Sequence, residues 1–408
     1  MAKLEELIQE FCPNGVEYRN LENCCEILDN KRKPVTKVAR EAGEYPYYGA
    51  NGIQDYVADY IFDGTFVLVG EDGSVVTEQG TPIVTWATGK IWVNNHAHIV
   101  AKKEGISLRY LYHFIQTVNV KPLIHGNIPK LTGGDFRAIQ IPVPPLPIQN
   151  EIVRILDNFT ELTAELTAEL TARQKQYNYY RNKLLTFNGA DIPIVQLRTV
   201  VKKSCSGSTP TKGNSGYYEN GTIPWIRTQD VHFNEITEVD SYITEKAVAE
   251  TAVKWIPENC VIVAISGATA GRCAINKIKA TTNQHCLNLE IDESKALYRY
   301  IYYCIYNKYD ELLSRKQGAR GDLNSSLVLS LEIPIPALDV QRRLVYVLDN
   351  FDAICSDLKI GLPAEIEARQ KQYEFYRDAL LTYAATGKTI LTDRQTDRQT
   401  DRQTDRRA

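Results

Sequence analysis

The sequence has no run of about 18 apolar residues that would span a bilayer. Its N-terminus, MAKLEELIQEFCPNG, is charged where a secretory signal would be apolar, so a cytoplasmic protein without membrane contact is expected. An excess of one charge is missing too: Lys+Arg number 47 against Asp+Glu 50, a formal net charge of −3. Bulk basicity therefore does not announce a nucleic-acid binder, and a polybasic membrane-surface protein is excluded for most of the chain. The nine cysteines include an adjacent pair, Cys24 and Cys25, but no C-x-x-C. An odd set without ligand spacing reads as free buried thiols in a reducing compartment, and no metal site is expected. Methionine occurs only at position 1, and 24 tyrosines outnumber 10 phenylalanines, a bias toward wet interfaces over a large dry core.

Catalytic motifs are scarce as well. A P-loop needs glycine five residues before Gly-Lys-Thr, and Gly387-Lys388-Thr389 has Thr382 there. No G-x-G-x-x-G opens a helix. Pro144-Pro145 is followed by Leu146, not by the aromatic residue of an amino-methyltransferase loop. Glu293 and Lys295 form a nuclease-like Glu-x-Lys, but no Pro-Asp dipeptide accompanies it. No catalytic residue is assigned.

What is present is a duplication. IPVPPLPIQNEIVRILDNF (141–159) matches IPIPALDVQRRLVYVLDNF (333–351) at an offset of 192. RQKQYNYYRNKLLTF (173–187) matches RQKQYEFYRDALLTY (369–383) at an offset of 196, with ten of fifteen positions identical. Such a period is far too long for a solenoid and means two copies of a module. Each copy reads as a mixed α/β region, a proline-rich hinge (Pro142, Pro144, Pro145, Pro147; Pro334, Pro336) and a long helix, because proline keeps the residue before it out of helix. IQEFCPNGVEYRNL (8–21) resembles LLTFNGADIPIVQL (184–197), so residues 1–11 read as the last turns of such a helix, packed beside the C-terminal one.

Residues 149–187 hold neither glycine nor proline and fit heptads: Leu156, Thr163, Leu170, Tyr177 and Leu184 at one seam position, Phe159, Leu166, Arg173, Tyr180 and Phe187 at the other. The second copy slips register by four residues at Gly361 and Pro363, where a break is expected. The spacer TELTAELTAELTA (160–172) repeats a Thr-Ala-Glu-Leu unit. One unit more or less would change the helix by about 6 Å and about 40°, which makes its length a ruler.

These residues resemble the specificity subunit of type I restriction–modification enzymes (HsdS), in the class with Thr-Ala-Glu-Leu spacers. The resemblance rests on LDNFTELTAELTAELTARQKQYNYYRNKLL, LDNFDAICSDLKIGLPAEIEARQKQYEFYRDALL, the two hinges and YYGANG (47–52), and covers nearly all of 1–387. It implies an α+β chain: two mixed α/β target-recognition domains separated by two long antiparallel coiled-coil helices, in a pseudo-twofold circular arrangement. The expected segments are a helix stub (1–11), the first recognition domain (12–145), the central helix (146–187), the second domain (188–337), the distal helix (338–385) and a disordered tail (386–408). It further implies a non-catalytic subunit that reads a bipartite sequence in double-stranded DNA. Two methyltransferase subunits (HsdM) and restriction/translocase subunits (HsdR) would join it. S-adenosylmethionine, ATP and Mg would sit on those partners, with no cofactor in this chain.

Sequence readout needs donors and acceptors at base edges, with Lys and Arg on phosphates. Small, polar, glycine-punctuated loops are the candidate readers. In the first domain these are Lys31 and Arg32, Tyr48 and Asn51 of YYGANG, Lys90, and Asn95 with His96. In the second they are Arg227 and Gln229, Thr269 and Arg272, and the basic run holding Arg315, Lys316 and Arg320. Asn94-Asn95-His96 recurs as Asn283-Gln284-His285, which leans toward shared scaffold over readout. On the helices, Arg173, Lys175 and Tyr177 recur as Arg369, Lys371 and Tyr373, two equivalent docking surfaces for two copies of one partner.

TDRQTDRQTDRQTDRRA (392–408) has no apolar residue before Ala408 and is expected to be disordered. A tetranucleotide tract, ACAG, read as ACA-GAC-AGA-CAG, encodes Thr-Asp-Arg-Gln, which suggests a hypermutable repeat. Two alternatives to a DNA-specificity subunit stay open at this stage: a coiled-coil scaffold with two binding heads, and a self-contained DNA-modifying enzyme.

Overall fold

The computed structural model describes residues 2–73, 75–187, 192–317, 322–356 and 360–386. The chain divides into two compact units. One holds the described residues up to Leu166 together with those from Glu365 on, and the other holds those from Thr167 to Ala364. Each is a sheet packed on helices, the α+β class expected.

In the first unit six strands lie in the order Glu26–Ile27, Ala97–Ala101, Phe62–Gly70, Val84–Val93, Ala42–Gly49, Gly52–Val57. The run Phe66–Gly70 is buried throughout because both faces of the sheet are covered. Its side chains alternate between two cores: Val67 and Val69 join the cluster with helix Leu108–Ile115, while Phe66 and Leu68 join Ile91, Val93 and Ile99 on the other face. The second unit repeats the scheme. Its five strands run Val201–Ser206, Cys286–Ile291, Val261–Ala264, Cys273–Asn276, Glu235–Ile236. Val261 and Val263 face one core, Ile262 and Ala264 the other. A four-stranded sheet, in the order Tyr242–Ile243, Ile223–Ile226, Ala280–Thr282, Trp255–Ile256, completes it. Each fully buried valine or isoleucine contributes about 1.5–3 kcal/mol of transfer free energy.

Helix Leu146–Leu185 runs unbroken for 40 residues, about 60 Å. Pro147 does not interrupt it, because the first turn needs no backbone donor there. The second copy is split into Leu338–Ser356 and Leu362–Thr386, so the break falls at Gly361, and Pro363 takes the same first-turn place. The seam follows the heptads only in part. Leu156 and Tyr177 are buried, Leu166 and Leu170 are half-buried, and Arg173 is exposed. In the first unit Phe159 stacks on Tyr376, and in the second Phe351 stacks on Tyr180. The stub forms helix Ala2–Phe11, and its Leu4 and Ile8 share a core with Leu380, Leu381 and Ala384.

The hinges are alike at the level of single bonds. Tyr110 donates to the Pro142 carbonyl at 2.8 Å, and Tyr300 to that of Pro334 at 2.9 Å. Buried Gln149 donates to Pro144 O (2.7 Å) and accepts from Ser107 N (2.8 Å); Gln341 donates to Pro336 O (2.8 Å) and accepts from Leu297 N (2.9 Å). These amides fix the angle between globular part and helix where proline has removed backbone donors. Each hinge is closed by a two-stranded pair, Tyr18–Asn20 with Gln140–Pro142 and Ile194–Gln196 with Glu332–Pro334.

Candidate nucleic-acid interface

In the first unit several candidates converge at one end of the sheet. Residues Gly49–Gly52 turn tightly between two strands, with Asn51 exposed and Gly52 at φ +95°, a conformation open to glycine. A Cβ on Gly70 would lie 3.1 Å from the Ala50 carbonyl, so this turn packs on the end of the central strand. Asn95 and His96 are exposed in the next turn, where buried Asn94 accepts from the His96 N–H at 2.8 Å. Asn283 accepts from His285 N at 3.0 Å in the second unit, so the repeated asparagine is scaffold that shapes both turns. His96 also bonds Asp72.

Arg32 and Tyr48 are corrections to the sequence reading. Arg32 pairs with Glu71 and donates to the carbonyls of Ala97 (2.8 Å) and Asp29 (2.9 Å), with only 13% of its side chain exposed. Its Nε and Nη1 donors are taken up inside the fold, where they tie three loops together. Tyr48 is buried in the core beside Phe62 and Phe66, as strand alternation dictates. Around Arg32 lie Asp29, Glu71, Lys130 and His98, whose alternation with His96 the sequence already suggests. His98 is buried, faces Asp29 at 2.7 Å through Nδ1 and the Leu131 carbonyl at 3.0 Å through Nε2, and stacks on Phe136. Burial pushes the Glu71 carboxyl up, but Arg32, His98 and Lys130 outweigh it and hold the group below its ordinary value. Asp29, Glu71 and His98 bring ligand-type atoms within 4.8 Å of one another. The guanidinium of Arg32 and the ammonium of Lys130 make this an internal charge cluster. Lys31 beside it is exposed. Lys90 lies apart, its ammonium 4.7 Å from the Tyr60 ring centroid.

In the second unit Arg227 lines an open groove of about 780 Å³ with Lys212, Tyr218, Trp225 and Tyr242. Its Nε is buried without a hydrogen-bond partner, and its backbone N–H donates to Asp230 at 2.7 Å. Gln229 is exposed in the turn that follows. Arg272 bonds His232 at 2.9 Å, and Thr269 accepts the Arg272 N–H in the same turn. Arg315 is a third correction. It pairs with Glu311 and donates to Leu327 O (3.2 Å) and Ser330 Oγ (3.1 Å), joining two short helices instead of projecting outward. Lys316 is half-exposed, and Arg320 lies outside the described residues, as does the tail.

On the helices, Arg173 pairs with Glu169, Arg369 with Glu365 and Lys371 with Glu367, all on exposed surface like Lys175. Tyr177 and Tyr373 point the other way. Tyr177 is 4% exposed and stacks on Phe351, and Tyr373 donates to His113 Nδ1 at 2.8 Å. They hold each helix on its own unit, which leaves the charged residues of the motif facing outward. A further repeated node emerges from LDNF. Asp157 accepts from Arg109 (2.7 Å) and His113 (2.9 Å); Asp349 accepts from Arg299 (3.0 Å) and Tyr303 (2.6 Å). The offset of 192 pairs these aspartates, a signal present in the sequence but not used.

All nine cysteines are free, and burial raises the thiols of Cys25 and Cys260 to about 12, which leaves them unreactive. No helix among the described residues is long and apolar enough to cross a membrane.

Comparison with known proteins agrees with this architecture. The family model described as the type I restriction modification DNA specificity domain matches residues 13–173 and 191–368. A putative type I restriction enzyme specificity subunit of Haemophilus influenzae is 35% identical over 398 residues, which cover 93% of this chain and 98% of that one. The EcoR124I/EcoR124II specificity subunit of Escherichia coli is 37% identical over 289 residues, 68% of this chain and 71% of its own. The crystal structure of the type I restriction-modification S subunit from M. genitalium shares the fold with a TM-score of 0.55 at 14% identity, covering 92% of this chain and 98% of that one. A chain from a structural study of type I complex assembly and conformational transition scores 0.57 at 16% identity, covering 90% and 98%.

Proposed function

Because this chain belongs to the type I restriction–modification DNA specificity family, we propose that it reads a bipartite sequence in double-stranded DNA, one half with each unit. The observation that carries this reading is the duplication of the hinge-and-helix framework, bond for bond, beneath loops that differ. The shared framework includes Gln149 and Gln341, Asp157 and Asp349. The loops hold Asn51, Asn95 and Lys31 in one unit and Arg227, Gln229 and Arg272 in the other. Equal scaffolds with unequal loops suit two modules that do one task on two different sequences.

In this reading the chain performs no chemistry. Two methyltransferase subunits dock on the exposed charged faces around Arg173 and Lys175 and around Arg369 and Lys371, and they carry S-adenosylmethionine. Restriction/translocase subunits, with ATP and Mg, join the assembly in the cytoplasm. The near-neutral net charge of −3 then fits a subunit whose partners share the phosphate contacts.

Co-expression with the methyltransferase subunit, followed by genome-wide mapping of adenine methylation, tests the assignment. A split motif that appears only when both chains are present is the expected result. Absence of any motif favours a scaffold, and methylation by this chain alone favours a self-contained enzyme.

A further inference from the structure

The loop frameworks hide a repeat that the sequence offsets of 189 and 192 do not reach. Lys33 N donates to the Val93 carbonyl at 3.4 Å, and Ser208 N to the Thr282 carbonyl at 3.0 Å. Val93 and Thr282 are the residues just before the equivalent Asn94 and Asn283. Three residues on, Thr36 O accepts from Ala39 N (3.0 Å) and Thr211 O from Asn214 N (3.1 Å). Segments 33–39 and 208–214 are thus one strap at an offset of 175, with only Thr-Lys in common. Each strap is pinned on aromatic side chains. Trp92 Nε1 donates to Lys33 O (2.7 Å) and Tyr47 Oη accepts from Val35 N (3.0 Å) in the first unit. Trp225 Nε1 donates to Ser208 O (3.2 Å) and Tyr218 donates to Pro210 O in the second.

Both turns present a lysine directly after the threonine, Lys37 and Lys212, and both are exposed. Neither ammonium makes a hydrogen bond or ion pair among the described residues. The nearby Asp55 carboxylate is already taken by Arg40 at 3.2 Å.

We infer that Lys37 and Lys212 are a matched pair of phosphate anchors, one for the backbone of each DNA half-site. This assignment rests on the two-half-site reading and extends it. Two modules that read different bases can share a contact only with what every duplex has in common, its sugar–phosphate backbone. A lysine suits that task as a compact charge with three rotatable donors and no fixed base geometry. A strap held by backbone bonds and indole donors on a rigid sheet gives the charge a defined place.

The test uses the assembled complex with its methyltransferase subunits and a duplex carrying the mapped target, with affinity measured between about 50 and 200 mM salt. Lys37→Gln and Lys212→Gln should each reduce the slope of log K against log salt by about 0.9, and the double variant by roughly twice that. The loss should be the same for every base substitution in the target, the methylated motif should be unchanged, and Lys37→Arg and Lys212→Arg should restore the slope. Unchanged slopes, or a changed base preference, would overturn the assignment. A wild-type complex with no split motif would instead overturn the underlying reading, so the two failures are told apart.

Discussion

Replacing Arg32 with alanine separates a structural cation from a DNA-reading one. The guanidinium bridges Glu71, Asp29 and the Ala97 carbonyl, and the Arg32 and Glu71 side chains are only 13% and 11% exposed. Removing one partner of a buried pair costs about 3–5 kcal/mol because the other charge is left without compensation. Lys130, 3.1 Å from Glu71, remains and offsets part of this, so about 3 kcal/mol is expected. For a unit of this size that lowers the melting temperature by roughly 6–12 °C. Trp86 and Trp92 lie in the first unit and Trp225 and Trp255 in the second, so fluorescence during heating, with each pair replaced in turn by phenylalanine, assigns the loss to one unit. Lys31→Ala, at an exposed position, should stay within about 0.5 kcal/mol of the wild type. An Arg32→Ala variant that melts like the wild type while losing half of the methylation motif would refute the structural role.

Three further outcomes are expected. Burial holds the His113 imidazole below its ordinary pKa, against the raising effect of Asp157. The neutral ring is favoured in the fold, so this stability is present above about 6.5 and is lost as pH falls through that value toward the folded pKa. His113→Tyr, the residue type the second unit uses at Tyr303, should flatten the stability of the first unit between about pH 5 and 7; an unchanged slope contradicts the assignment. Asp157, whose carboxyl burial raises but His113 and Arg109 hold low, contributes a separate loss only near and below about pH 4. Inserting one Thr-Ala-Glu-Leu unit after Leu170 should lengthen the gap between half-sites and leave both halves unchanged; an altered half-site contradicts the ruler. Sequencing the gene should show ACA-GAC-AGA-CAG through 392–403, and mixed synonymous codons would end the slippage hypothesis.

The sequence shows most clearly what repeats along it. The matched helices, the hinges and the break at Gly361 all follow from local rules: proline geometry, heptads, and glycine after a stutter. Strand order was not legible, since Ala97–Ala101 and Val84–Val93 flank the same strand, a pairing set by long-range packing. Site residues were legible only as loop positions. Arg32 and Arg315 look like free cations in the chain, yet Glu71 and Glu311 claim them in the fold. Lys37 and Lys212 were missed because unequal insertions shift their offset away from that of the surrounding repeat, and only backbone bonds reveal the equivalence.

The central claim is that each unit reads its own half of a split target. Exchange of residues 12–140 for the corresponding segment of a relative with a different motif, followed by methylation mapping, tests it most directly. The account predicts that one half of the motif changes and the other half and the gap stay as they were. A change in both halves, or in neither, would contradict it.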